Sequence, residues 1–337
     1  VCKARLPRRC QHIVFRLTAV YFTDLRTSPQ CRKAIITDTG DVDTNDATID
    51  GVSVLADSGP GVDVDTSGAV NINNTAVTNV STDGTSVDGV DIGNSASVTL
   101  SGSFIGAHDA GTPVTTGVFA DDADADLTID AATTLDGGSD AGVDIQDLAD
   151  STATINGDVA NFTTGVSVDD ATEVTITGDI SDNDAQGVSV VADATLTVTE
   201  ATISNNGAEG ILVDRAGAVV DVDQSTVENN DDGAGIQLLA VADGATHNVT
   251  RTNFSGNAGF AVDADTSAAA TANVTLRGNA FNGTDAITAT ETIDGTLNYF
   301  GDRKGPASNG GASVSDTVVY DPFLTGPETN RALADIR

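Results

Sequence analysis

A glycine followed by an apolar residue, any residue and a second apolar residue recurs at Gly61, Gly89, Gly117, Gly142, Gly165, Gly187, Gly210, Gly235 and Gly259, at intervals of 22 to 28 residues. The first apolar position reads Val62, Val90, Val118, Val143, Val166, Val188, Ile211, Ile236, Phe260, and the second Val64, Ile92, Ala120, Ile145, Val168, Val190, Val213, Leu238, Val262. Alternation of this kind predicts a short strand with one buried face. A second strand follows in each repeat, with inward pairs such as Val70/Ile72, Leu196/Val198 and His247/Val249. A third inward column reads Val77, Phe104, Leu135, Val159, Ile180, Ile203, Val227, Phe254 and Phe281.

Three short strands per repeat of about 25 residues, with no helical period, leave no room for the long hairpins of a sandwich. They predict a coil whose turns stack at roughly 4.8 Å, so that each inward column becomes a ladder. Burying one Val or Ile is worth roughly 1.5 to 3 kcal/mol. Ordering each residue costs about 1 to 2 kcal/mol, so a turn is stable only against its neighbours. Asn183, Asn206, Asn230 and Asn257 lie three residues beyond the third column in four successive repeats. There Asn tolerates the left-handed conformation of a sharp corner, and stacked amides can bond from turn to turn.

The runs Gly187–Asn206 (GVSVVADATLTVTEATISNN) and Gly210–Asn230 (GILVDRAGAVVDVDQSTVENN) resemble the repeats of the pectin-lyase-like superfamily. The fold class this implies is all-β, a single-stranded right-handed parallel β-helix (solenoid) of about nine to ten coils of three short strands. Residues 296–325 are similar to the closing segment of archaeal and bacterial surface β-helix proteins, with Asn298, Tyr299, Phe300, Gly301, Gly305, Pro306, Tyr320, Pro322, Phe323 and Leu324 at the matching positions. The expected organisation is a β-helix over 38–295, a capping motif over 296–325 and a tail over 326–337. Residues 1–37 form an anomalous basic, Cys-containing segment expected to lie outside the fold.

Charge changes the picture most. The chain has 50 acids, 15 bases and a net charge of −35. Residues 1–37 hold eight of the bases and only Asp24 among the acids, so the remainder carries −42. Only six acids are Glu, and no Lys occurs between Lys33 and Lys304, a bias similar to that of proteins from multimolar salt. Nucleic acid is excluded as a partner by repulsion, and a bare anionic membrane surface is disfavoured for the same reason. Cys2, Cys10 and Cys31 fit no metal-ligand spacing. Arg8 and Arg9 precede an apolar run that Arg16 interrupts, which makes a poor export signal. With Val1 first and no Met, the sequence reads as a fragment or as carrying an ill-matched extension. No stretch approaches the roughly 20 apolar residues that span a bilayer.

Chemistry is sparse by comparison. Asp pairs occur at Asp121/Asp122, Asp169/Asp170 and Asp231/Asp232, but the other polygalacturonase motifs of the superfamily are missing. Its pectate lyases use Arg or Lys as base, and between residues 38 and 300 only Arg215, Arg251 and Arg277 are available. Arg215, next to Asp214, is the weak catalytic candidate. Copper handling requires His or Met ligands, and the chain has no Met and only His12, His108 and His247. His247 falls in an inward column, where a neutral core histidine bonded to backbone, or a slip in register, accounts for it. Four residues after the repeat glycine, Asp65, Asp121, Asp169, Asp214 and Asp263 alternate with uncharged residues, a charge-spacing device or a stripe for Ca2+ or monovalent cations. No cofactor is otherwise expected. Seven Asn-x-Ser/Thr sequons, at Asn73, Asn79, Asn161, Asn248, Asn253, Asn273 and Asn282, permit glycosylation.

The expectation is a non-enzymatic extracellular or cell-surface module of a halophilic archaeon, a rigid spacer or adhesive surface whose partners are carbohydrate or cell-surface components. A polysaccharide lyase or glycoside hydrolase is the first alternative. A viral spike component is the second.

Overall fold

The computed structural model describes residues 13–16, 34–37 and 47–327, except 52, 57–59, 66–67, 80–86, 94–96, 108–112, 122–125, 147, 170, 192, 216, 240–244, 265–272, 284 and 307–310. The three cysteines, His12, His108, Asp122, Asp170 and the tail beyond residue 327 lie outside the described residues. The chain divides into two compact units, Val1–Thr172 and Glu173–Arg337. Each is a parallel coil with three sheets, and across the two the chain makes about nine turns. Among the described residues no helix is long and apolar enough to cross a membrane.

In the first unit, Val62, Val90, Val118, Val143 and Val166 are successive partners in the first sheet. All five are fully buried. The second sheet stacks Val70, Val98, Leu127 and Ala153 in the same way. Within the segment that the sequence sets apart, Ala34–Thr37 pairs in parallel with Val62–Asp65, and Ile13–Arg16 pairs with Ala34–Thr37. In the second unit the first sheet stacks Val188, Ile211, Ile236, Val262 and Ile287.

Two registers differ from the reading of the pattern. The third column uses Ile105, which pairs with Val77 and Leu135, while Phe104 turns partly outward. Adjacent apolar residues satisfy the period equally, and one residue of slip exchanges the faces. In the ninth repeat, Val262 and Ala264 point inward as partners of Ile236 and Leu238. Phe260, Val262 and Ala264 are all apolar, so a period-two pattern fits in either of two registers. Ala261 rather than Gly259 therefore takes the glycine position.

That position is restricted by space. A Cβ on Gly89 would lie 2.4 Å from the carbonyl oxygen of Gly117 and 2.2 Å from Cγ2 of Ile105. On Gly210 it would lie 2.6 Å from the carbonyl oxygen of Gly235 and 2.8 Å from Nδ2 of Asn230. Neither glycine has a positive φ, so close approach between turns selects glycine here.

The asparagine column forms as a ladder. Asn183 Nδ2 donates to Asn206 Oδ1 at 2.9 Å, Asn206 to Asn230 at 2.9 Å and Asn230 to Asn257 at 2.8 Å. The left-handed residue of each corner is instead the one before it: Asp182, Asn205, Asn229 and Gly256, with φ of 57°, 56°, 55° and 68°. The αL residue turns the chain, and the next side chain drops inside to stack. A second, less uniform ladder lies between the second and third sheets. Backbone N–H groups of Thr75 and Ser103 donate to Ser103 Oγ and Thr133 Oγ1 in the first unit. Those of Thr252 and Asn279 donate to the Oδ1 atoms of Asn279 and Asn298 in the second.

The C-terminal segment closes the second unit. Phe254, Phe281 and Phe300 stack at centroid spacings of 5.3 and 5.5 Å, and Tyr320 meets Phe300 edge-on at 6.3 Å. Buried Asn298 donates to the carbonyls of Leu276 and Gly295, both at 2.7 Å.

Candidate functional site

Strands Val90–Ile92, Val118–Ala120, Ala141–Ile145 and Thr164–Val168 turn their penultimate residues outward, which sets Asp91, Phe119, Asp144 and Ser167 side by side. Asp144 is only 8% exposed. Burial raises its pKa to about 6, the bond from Gln146 Nε2 to Oδ2 (3.0 Å) opposes the shift, and Asp169, Asp140 and Asp88 add to it. Asp88 is also pushed up, first by burial and then by Asp140, against the hydrogen bond from the Thr116 backbone N–H. Four carboxylates thus converge here, one of them half-protonated near pH 6. Such a group can donate or accept a proton at mild pH. Residues 38–172 contain no Lys or Arg, so that stretch itself supplies no cationic base. Chain patterning did not single out Asp144, because nothing in an outward Asp of a strand distinguishes it from its many counterparts until its burial is known.

Arg215 lies in the other unit. Its Nε is 3.5 Å from Asp193 Oδ1, and both side chains are well exposed. Asp214, although adjacent in sequence, is exposed, and its backbone N–H bonds the carbonyl of Val190. Such an exposed pair contributes about 0 to 1 kcal/mol. Arg251 is held by Asp223 through Nε at 2.8 Å and a second, shorter contact from Nη2.

Of the alternating aspartates, Asp65, Asp121 and Asp169 occupy equivalent exposed edge positions in the first unit, and Asp214 occupies the same position in the second. Asp263 does not belong with them. The two-residue register difference sets it opposite Gln237, whose Nε2 donates to Asp263 Oδ2 at 3.4 Å. Among the described residues no group of three or more His, Cys, Asp or Glu side chains could hold a metal ion.

His247 points inward as the sequence register requires, opposite Val274, and is fully buried. The expected backbone bond is not made: neither Nδ1 nor Nε2 has a hydrogen-bond partner. Burial lowers its pKa, with Asp221 opposing.

Residues 149–300 match the family model described as "Right handed beta helix region". The chain folds as a right-handed parallel β-helix. Two solved structures align along this β-helix. One is a pectate lyase at 10% identity, covering 96% of this chain and 82% of that one with a TM-score of 0.49. The other is the A-module of a mannuronan C-5 epimerase from Azotobacter vinelandii at 16% identity, covering 92% and 89% with a TM-score of 0.36. No curated protein matches the sequence. What the β-helix offers chemically is therefore read from its own side chains: acidic edges, one buried carboxyl group, and two arginines already engaged by carboxylates.

Proposed function

We propose that this β-helix is a non-catalytic extracellular or cell-surface module of a salt-loving archaeon, acting as a rigid spacer or as an adhesive surface for carbohydrate or cell-surface components. The observation that carries this reading is the way outward polar groups bind the turns to one another. Asn74 donates to Asp50 at 3.0 Å, Asn161 to Asp136 at 2.6 Å, Asn248 to Asp221 at 2.6 Å and Ser255 to Glu228 at 2.9 Å, each across one turn. Side chains held this way stiffen the coil and are not poised for proton transfer.

One observation favours an enzymatic second reading, namely Asp144 with its pKa of about 6, in the range of a glycosidase acid. A polysaccharide panel in 2 to 4 M salt separates the two. Retention of the protein on one or more polysaccharides, without reducing ends or unsaturated products, is the expected result. Product release abolished by Asp144→Asn or Arg215→Ala would replace the proposal by the hydrolase or lyase reading. A trimer in sedimentation equilibrium would favour the spike.

A further inference from the structure

Four of the sequons have all three side chains described, those of Asn73, Asn161, Asn248 and Asn253. Their surroundings differ. Asn73, Asn248 and Asn253 are half-buried on strands, with neighbouring turns on either side. Thr75, the hydroxyl residue of the first, is 1% exposed and bonds the carbonyl of Asn73. Asn161 is exposed, immediately beyond strand Asp158–Ala160, with φ of 61°. Phe162, the middle residue of its sequon, is fully buried and fixes the corner so that the asparagine stays outside. Asn79 is the opposite extreme: fully buried, with Nδ2 donating to the carbonyl of Pro113 at 2.8 Å.

We propose that Asn161 is an N-glycosylation site, the acceptor of an oligosaccharide from a lipid-phosphate donor, and that Asn79 stays unmodified in the folded chain. The proposal rests on the extracellular reading for its occurrence in the native cell. In the transfer, Nδ2 of Asn161 forms a bond to the anomeric carbon of the sugar and loses one proton. The bond from that carbon to the phosphate oxygen breaks, and the lipid phosphate leaves. A primary amide has two N–H groups. Asn161 uses one toward Asp136 Oδ1, so the other can be substituted while the cross-turn bond survives. A glycan is bulky and needs a surface position. On Asn161 it projects from a corner, whereas on Asn79 it would displace the core.

The full chain, fused to an export signal, is secreted from a host with N-glycosylation, and its folding is checked by circular dichroism. Glycan release in heavy-oxygen water then marks each occupied asparagine for peptide mass spectrometry. The expected result is a marked Asn161 peptide and a bare Asn79 peptide. Both Asn161→Gln and Thr163→Ala should remove the mark. The second keeps the Asn161 amide and its bond to Asp136 but removes the bond from Thr163 Oγ1 to the carbonyl of Ser139 (2.9 Å), so Thr163→Ser, which keeps the hydroxyl and the sequon, should retain the mark. A bare Asn161 in folded secreted protein, with a control glycoprotein from the same culture occupied, would overturn the proposal. So would an occupied Asn79. Because export is imposed, occupancy is independent of native location, which protease shaving of intact native cells reads separately.

Discussion

Asn206 receives two hydrogen bonds on Oδ1 from Asn183, from Nδ2 at 2.9 Å and from the backbone N–H at 3.3 Å, and is itself fully buried. Replacing it by Ala would remove the Oδ1 that both donors of Asn183 share and the side-chain donor to Asn230 Oδ1. Since an unsatisfied buried group costs about 1 to 3 kcal/mol, Asn206→Ala should destabilise the second unit by roughly 2 to 4 kcal/mol in urea unfolding at constant salt. A loss below about 0.5 kcal/mol would mean that the ladder contributes no net stability.

Glycine substitutions test the spacing argument. Gly210→Ala would force a Cβ to within 3 Å of the Gly235 carbonyl, Asn230 Nδ2 and Val227 Cγ1. Gly283→Ala meets nothing within 4 Å and has no positive φ. The first should lower the melting temperature by several degrees, at a cost of about 1 to 3 kcal/mol. The second should leave it unchanged or raise it, by up to about 1 kcal/mol through the unfolded state.

For Asp144 the folded pKa of about 6 lies above the ordinary carboxylate value of 3.8. The folded state therefore binds the proton more tightly, and stability falls as pH rises from about 4 to about 6, with the penalty complete above that range. Asp144→Asn should stabilise the first unit by about 1 to 3 kcal/mol at pH 8 and have little effect at pH 4. Chemical denaturation at the two pH values checks this.

His247 has the opposite sign. Its folded pKa is lowered from 6.5, so the proton-linked penalty is absent above pH 6.5 and grows as pH falls below that value. Even neutral, its ring buries two polar nitrogens without partners, which His247→Val would remove. The variant should be more stable by about 1 to 3 kcal/mol at pH 7.5, with a larger gain at pH 5. Hydrogen exchange resolved by peptide should show acid loosening the turns around His247 in the wild type only.

Salt is the broadest control. Beyond residue 37 the chain carries −42. The screening length is about 30 Å at 0.01 M and about 3 Å at 1 M. With Val the commonest column residue, apolar area per turn is modest against the repulsion. Circular dichroism of the chain diluted from 4 M to 0.05 M salt should show loss of β signal. A fully folded β-helix at 0.05 M without divalent ions would refute the halophilic reading.

The columns were legible in sequence because burial on one face of a strand writes itself as a period of two. His247 illustrates how strong that signal is, since a polar residue was placed inward by its neighbours alone, and it is inward. The errors at Phe104 and Gly259 arise where apolar residues crowd together, so that several registers satisfy the same pattern. The αL positions were missed by one residue because Asn205-Asn206 and Asn229-Asn230 are pairs of identical residues, and only the backbone distinguishes the member that turns from the one that stacks. Asp144 could not be found in sequence, since its character comes first from burial, and two of the carboxylates that add to it, Asp88 and Asp169, are distant along the chain.

The repeat glycine and the inward columns present each turn with the same docking surface that it offers to the next, while the interval between glycines varies from 22 to 28 residues. Tandem duplication or loss of one turn in the gene would therefore reproduce a compatible joint, with corners absorbing the difference in length. The Phe254, Phe281 and Phe300 stack has no such freedom, because it must end at Tyr320. Lineages descended from this gene should vary in their number of turns and inherit the aromatic terminus as one block.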